Sequence, residues 1–390
     1  MNSTPKHTPQ PDDLITTQAG LEALVERLRP SRYLALDTEF HREKTYFPQL
    51  CLIQVADDHT VAAIDPMAGL DLSSFLALLL EPERVKVFHA ARQDLEIFYQ
   101  LTGQVLAPLF DTQIAAMALG LGDQISYVNA VQSLLGQRLS KAQQMTDWTR
   151  RPLRAEQLAY ALDDVIYLRH IYKQMDAQLT ELGRLSWLKE EESRMLNPES
   201  FEPDKDSLWR SIRIRDKSPR TFTALRELSF WRDNLARAID RPRHFVLKDD
   251  ALAALAQQRP TDDGQLSHVR MLGKEFVNKH GDEILALMQQ VNNLPNNKLA
   301  RPPKTRRPAN APDNLAITLA GIVLKHKAQE AGITPRLIGN TDDLESFLCG
   351  EASPLSQGWR YDLVGAELEQ LMAGDLLLGM YKGKLKTVQA

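Results

Sequence analysis

The chain has 390 residues, enough for two or three domains. Its 43% hydrophobic and 25% charged residues are those of a globular protein, and 47 basic against 51 acidic side chains leave a charge of −4, which excludes a globally basic nucleic-acid binder. The polar, Pro-rich start (Met1–Asp13) lacks a signal-peptide core, no run nears the ~18 apolar residues of a membrane helix, and Cys51 and Cys349 fit no metal or redox spacing, so a cytoplasmic protein without membrane contact is expected.

Residues 1–12 read as a disordered N-terminus. Strand-forming runs follow at Tyr33–Phe40, Leu50–Ala56 and Thr60–Ile64, separated by turn residues. Leu72–Leu80 reads as a helix, Val85–His89 as a strand, and Ala91–Leu101 as a helix stopped by Gly103. Phe110–Gly120, Ser126–Gly136 and the long amphipathic Arg154–Leu182 read as helices. Strands followed by alternating helices and strands imply a mixed sheet flanked by helices, here assigned to residues 13–188. Beyond Asn197 strand signals nearly vanish. Residues 208–292 and 313–390 are expected to form two small all-helical domains. Between them a Pro-, Asn- and Arg-rich stretch, 293–312, reads as a linker.

Three acidic elements carry the chemistry. Asp37 and Glu39 close a strand and lie two apart, so they share a face. Two adjoining carboxylates repel, and a divalent cation between them is the natural remedy. An isolated Asp-x-Glu is more often a solvated pair. Asp94 stands where a strand gives way to a helix, a position that a dipole-complementing acid could also fill. Tyr160 and Asp164 are four apart on one helix face, next to apolar packing residues.

In order and context the three elements resemble the DEDD exonuclease superfamily, and the tyrosine its DEDDy branch. The stretches LALDTEF, TYFPQLCLIQ, FHAARQDLEIF, FDTQIAA and YALDDVIYL resemble the RNase D family. That resemblance implies a ribonuclease H-like fold and a 3′–5′ exoribonuclease that releases nucleoside 5′-monophosphates. It implies that Asp37, Glu39, Asp94 and Asp164 hold two divalent ions, Mg²⁺ or Mn²⁺, with Asp37 bridging. Tyr160 would orient the attacking water. Thr38, Phe47, Gln54 and His89 would grip the terminal nucleotide, with core packing an equal role for the last three. The implied substrates are single-stranded RNA 3′ ends and precursor tRNA, worked on by a monomer. Leu139-Ser140-Lys141-Ala142 departs from the usual family wording, which puts Lys141 in doubt as a substrate contact.

Residues 208–292 resemble an HRDC domain, carried by RTFTALRELSFWRDNLAR (220–237), then PRHFVL, with Trp231 expected in its core. Residues 313–390 resemble a second, more weakly. Arginines and lysines cluster from Arg210 to Arg243, and Arg213 and Arg215 are expected to meet RNA phosphates. Two other readings share these residues: a DNA-directed exonuclease, and a catalytically inactive nucleic-acid scaffold. Two trailing helical domains favour the RNA enzyme over the first. Five intact site residues oppose the second.

Overall fold

The computed structural model describes residues 10–140, 143–144, 146–202, 204–301 and 312–389. Lys141 lies outside the described residues, as do Arg306 and Arg307 of the expected linker. The chain divides into two compact units. One holds Met1–Glu39, Leu50–Asn197 and Arg307–Ala390; the other holds Phe40–Gln49 and Pro198–Arg306.

The first unit is built on a six-stranded mixed sheet of β1 (Leu14–Ile15), β2 (Tyr33–His41), β3 (Gln49–Ala56), β4 (Val61–Ile64), β5 (Val85–Phe88) and β6 (Leu109–Asp111), in the order β1-β4-β3-β2-β5-β6. Helices α1 (Gln18–Leu28), α2 (Ser73–Leu79), α3 (Arg92–Thr102), α4 (Thr112–Ala118), α5 (Tyr127–Leu135), α6 (Ala155–Glu181) and α7 (Leu185–Met195) accompany it. β2 is central. Its first half is buried through Leu36, as expected of an inner strand. β2 and β5 run parallel, with Tyr33 level with Val85 and Ala35 with Val87. Their carboxyl ends therefore emerge together, and α3 starts directly beyond β5. That parallel pairing brings the end of β2 and the start of α3 to one edge of the sheet. α6 covers the sheet: Val165, Leu168 and Ile171 pack in one core with Ala35, Ala56 and Val87.

The expected strands and helices of this region are present, with four differences. β1, α1 and α7 were not anticipated. Phe110, expected in a helix, belongs to strand β6, which pairs with β5 through Phe110↔Val87. Pairing to an inner strand overrides the helical spacing of a three-residue segment.

The last residues also belong to this unit. α13 (Asn314–Ala331), α14 (Pro335–Ile338), α15 (Thr341–Leu348), α16 (Gly358–Arg360) and α17 (Ala366–Ala373) form a small core of Val323, Leu324, Ile338, Leu344 and Leu368. Leu337 and Trp359 join the core between the sheet and α6. Trp187 stacks on Trp359 at 4.3 Å between centroids, and Thr334 N–H donates to the Met117 carbonyl at 3.0 Å. Gly120 permits this approach: at φ +69 a Cβ there would stand 2.5 Å from the Gly332 oxygen. The segment 313–390, expected to be all-helical, ends instead in a hairpin of β7 (Leu376–Tyr381) and β8 (Lys384–Gln389). Lys382 and Gly383, both at positive φ, make its two-residue turn.

The second unit is helical: α8 (Pro219–Ala238), α9 (Arg243–Val246), α10 (Asp249–Gln258), α11 (Asp263–Ser267) and α12 (Lys274–Asn293) enclose Leu225, Leu228, Leu252, Leu255, Ile284 and Met288. Trp231 packs against this core, donating from its indole to Glu283 at 2.8 Å. Residues 40–49, between β2 and β3, belong here too. Tyr46 and Phe47 N–H both donate to Asp240, and the Tyr46 hydroxyl donates to Asp233.

Candidate metal centre

β2 carries Asp37 and Glu39 past the buried part of the strand, and α6 sets Asp164 against them. One carboxylate oxygen from each of the three lies within 4.8 Å of the others. Asp94, in the first turn of α3, stands beside this triplet. It is buried, and its Oδ1 accepts the Thr38 hydroxyl at 2.5 Å. One strand end thus supplies two acids and, in Thr38 between them, the clamp for a third.

The electrostatics follow from this packing. Burial, then the charges of Asp164 and Asp94, push the Glu39 carboxyl up to about 9. Burial and neighbouring Asp163 push Asp164 up to about 8. Asp94 rises to about 7, through burial and Asp111 against the opposing pull of the Thr38 hydroxyl. Asp37 rises well above its ordinary range through burial and the charges of Asp164, Asp94 and Glu39. Among the described residues no lysine or arginine offsets these charges. A site of clustered, hard carboxylate oxygens without a protein cation fits a divalent metal ion.

Tyr160 is half-buried one turn before Asp164 and hydrogen-bonds its carboxylate. Burial and the charges of Asp164, Glu39 and Asp37 hold its phenol protonated. Its ring lies near Trp148, 6.2 Å between centroids. Tyr127 of α5 steadies the same turn of α6: its hydroxyl reaches the backbone oxygens of Asp164 at 2.5 Å and Asp163 at 3.0 Å.

The other expected contacts are distributed differently. His89 is engaged at both ring nitrogens, by the Thr112 hydroxyl and the Ile125 carbonyl, each at 2.9 Å. Gln54 is fully buried on β3 and its side-chain amide has no hydrogen-bond partner among the described residues. Phe47 lies in the second unit, packed edge-on to Tyr46 at 5.0 Å. Arg213 and Arg215 are exposed. Much of the expected basic run is engaged inside the second unit. Arg220 binds the carbonyls of Val291, Asn292 and Leu294, Arg226 pairs with Asp206, Arg232 with Asp249, Arg237 with Glu202 and Arg243 with Asp233. These five side chains hold the unit together.

Asp111 was missed as a site residue. From the end of β6 it accepts Ala90 N–H at 3.1 Å, Ala91 N–H at 2.9 Å and Gln113 N–H at 2.8 Å. Ala90 has φ +61, a conformation a non-glycine residue adopts only when held there. Glu192 of α7 in turn accepts the Asp111 N–H at 3.1 Å. This chain of bonds fixes the β5–α3 turn and so the direction in which Asp94 leaves it. Two signals lie in the sequence: the Asp-Thr-Gln start of α4, which marks a helix cap, and the family-like stretch FDTQIAA, in which Asp111 was not singled out.

Comparison with known proteins places these residues among relatives. A family model described as 3′–5′ exonuclease matches residues 13–180, and one for the HRDC domain matches 222–288. The chain is 39% identical to ribonuclease D of Gluconacetobacter diazotrophicus, covering 97% of each chain. It is 40% identical to ribonuclease D of Sphingobium indicum over 96% of this chain and 97% of that one. Among solved structures it is similar to Escherichia coli RNase D, described as an exoribonuclease involved in structured RNA processing. That match has TM-score 0.77 and 29% identity, and covers 96% of this chain and 99% of the other. Among the described residues no helix is long and apolar enough to cross a membrane.

Proposed function

This chain belongs to the ribonuclease D family and is a 3′–5′ exoribonuclease, and from that premise we propose that Asp37, Glu39, Asp94 and Asp164 hold two Mg²⁺ or Mn²⁺ ions where RNA is cut, with Tyr160 directing the water. The observation that carries this reading is the convergence of carboxylate oxygens from β2 and α6 within 4.8 Å, with no protein cation beside them among the described residues. Bound there, the ions would lower the pKa of a water and neutralise charge on the scissile phosphate and departing oxygen.

The chain's own side chains set the geometry. Asp37 and Glu39 share a rigid strand end, so their separation is fixed before substrate arrives. Asp94 is aimed by Thr38 and by the turn that Asp111 clamps. Tyr160, tethered to Asp164, presents a phenolic oxygen that hydrogen-bonds an attacking water and orients it. The substrates are single-stranded 3′ ends, those of precursor tRNA and other small stable RNAs included, and the enzyme works as a cytoplasmic monomer.

The test is release of nucleoside 5′-monophosphates from a 3′-labelled RNA, with Mg²⁺ or Mn²⁺ and then EDTA, beside the same sequence as DNA. We expect metal-dependent release from RNA, one nucleotide at a time. Equal release from DNA would remove the RNA preference. Release that persists in EDTA would remove the metal role.

A further inference from the structure

The acid cluster accounts for one phosphate, whereas a strand feeding it carries many. Gln157, Tyr160 and Asp164 fall at spacings of three and four on α6 and so share one face. From Gln157 to Asp164 is about 10 Å along the axis, within reach of a neighbouring nucleotide. Gln157 lines a cavity of about 410 Å³ together with Thr146, Asp147, Arg150, Arg151 and Arg154.

The three arginines differ in what they already hold. Arg151 grips Asp65 through two bonds, at 2.6 and 2.7 Å, and also binds the Cys51 and Trp148 carbonyls. Its charge is matched, and it fastens the loop to the sheet. Among the described residues the Arg154 guanidinium meets neutral amide oxygens, Gln157 Oε1 at 3.3 Å and Gln143 Oε1 at 2.8 Å, and no carboxylate. Arg150 is exposed, and among the described residues its guanidinium has no hydrogen bond or ion pair. Asp147 is the acid of the lining, and its Oδ1 accepts both the N–H and the hydroxyl of Thr149. Gln157 is buried, its amide donating to the Thr146 hydroxyl and the Asp147 carbonyl, so the floor of the cavity is fixed. Arg150 and Arg154 thus have no ion pair among the described residues, and with Arg151 matched by Asp65 they outnumber the single acid of the lining, Asp147, at a cavity beside the helix face that carries Tyr160 and Asp164.

We propose that this cavity binds a phosphodiester of the RNA strand adjoining the one being cut, with Arg150 and Arg154 as its charge partners. The proposal rests on the reading of the acid cluster as the cleavage site. Sequence favours neither arginine over its neighbours in this Arg-rich loop; the distinction comes from which guanidinium is already neutralised.

The experiment compares two substrates in Mn²⁺: a single-stranded RNA dodecamer, and the p-nitrophenyl ester of thymidine 5′-monophosphate, which has no neighbouring phosphate. In Arg150→Gln/Arg154→Gln we expect the loss in kcat/KM on the dodecamer to exceed that on the ester by about tenfold. The log–log slope of dodecamer affinity against salt should become shallower by about 0.7–1.4, the release expected from one or two single-strand phosphates. The Arg150→Lys/Arg154→Lys variant should recover most of the difference, because charge rather than fork geometry carries the contact. Equal losses on both substrates with an unaltered salt slope would overturn the proposal and make the loop a support for Tyr160. An unaltered dodecamer would overturn it as well. A wild-type protein that cleaves neither substrate would instead sink the cleavage-site reading beneath it.

Discussion

Two kinds of buried charge occur in this molecule, and they behave as opposites. Asp65 faces Arg151, Asp233 faces Arg243, and Arg360 sits between Glu190 and Glu191 while also donating to the Leu337 and Ile338 carbonyls. Each of these holds two segments together; the first two are neutral as pairs, and Arg194, which also pairs with Glu190 and Glu191, makes the third neutral as a group. Asp37, Glu39, Asp94 and Asp164 face one another instead, and burial makes every one of them hard to ionise. Removing a partner from the first kind leaves an unpaired charge and should cost stability. Removing an acid from the second relieves repulsion and should cost activity.

The sharpest contrast is expected at the acids. Asp37→Asn, Asp94→Asn and Asp164→Asn should each lower turnover by about a thousandfold or more at saturating Mg²⁺, since several kcal/mol of charge stabilisation are lost and each 1.4 kcal/mol is tenfold. In EDTA the same variants should melt higher than wild type at neutral pH. The sign follows from the raised carboxyls: Asp94, Asp164 and Glu39 protonate at about 7, 8 and 9 when folded, against about 4 when unfolded. Between those limits the folded chain holds more protons, so metal-free stability should fall as pH rises from about 4 to 9. Melting curves in EDTA across that range check the slope, and near wild-type turnover in any Asn variant would remove that residue from the site.

Tyr160→Phe comes next, with turnover down by about a hundredfold and Mn²⁺ affinity by titration almost unmoved. A large loss of metal affinity with normal turnover at excess metal would instead make the tyrosine a support for Asp164. Arg360→Met tests the opposite kind of charge. Its guanidinium is buried while its acidic partners are partly exposed, so solvent softens the loss to about 2 kcal/mol by urea unfolding. Turnover of the folded fraction should stay close to wild type. The smallest effect on the fold is expected from Arg213→Glu/Arg215→Glu, within about 0.5 kcal/mol because both side chains are exposed. RNA affinity at low salt reads their role: if it does not fall, that surface is not a phosphate contact.

These contrasts explain what the sequence disclosed and what it withheld. Asp37, Glu39, Tyr160 and Asp164 were legible because periodicity alone put them on shared faces and local motif wording did the rest. The order of strands in the sheet was not legible, since pairing of β2 with β5 is a long-range fact. Neither was β6, whose three residues carry a helical pattern. Arg220, Arg226, Arg232, Arg237 and Arg243 looked like a nucleic-acid surface because a count of charges ignores their partners. Asp111 was hidden for the same reason: its work is done on Ala90 and Ala91, twenty residues away. The C-terminal hairpin did carry a local sign, alternating residues about Lys382-Gly383, overlooked beside the helical periodicity preceding it.

The stacking of Trp359 on Trp187 and the seating of Leu337 in the nuclease core bear on how the protein is born. Residues 13–188 read as a self-sufficient nuclease, yet a cut after Leu188 would strip away side chains that complete its core. Roughly 140 residues separate Leu188 from the return of the chain at Ala331. At ribosomal rates of about 5–20 residues per second, that apolar patch waits about 7–30 s for its cover. Through that interval the nascent nuclease exposes the surface a chaperone binds, and a ribosome stalled in the helical second unit would leave it exposed.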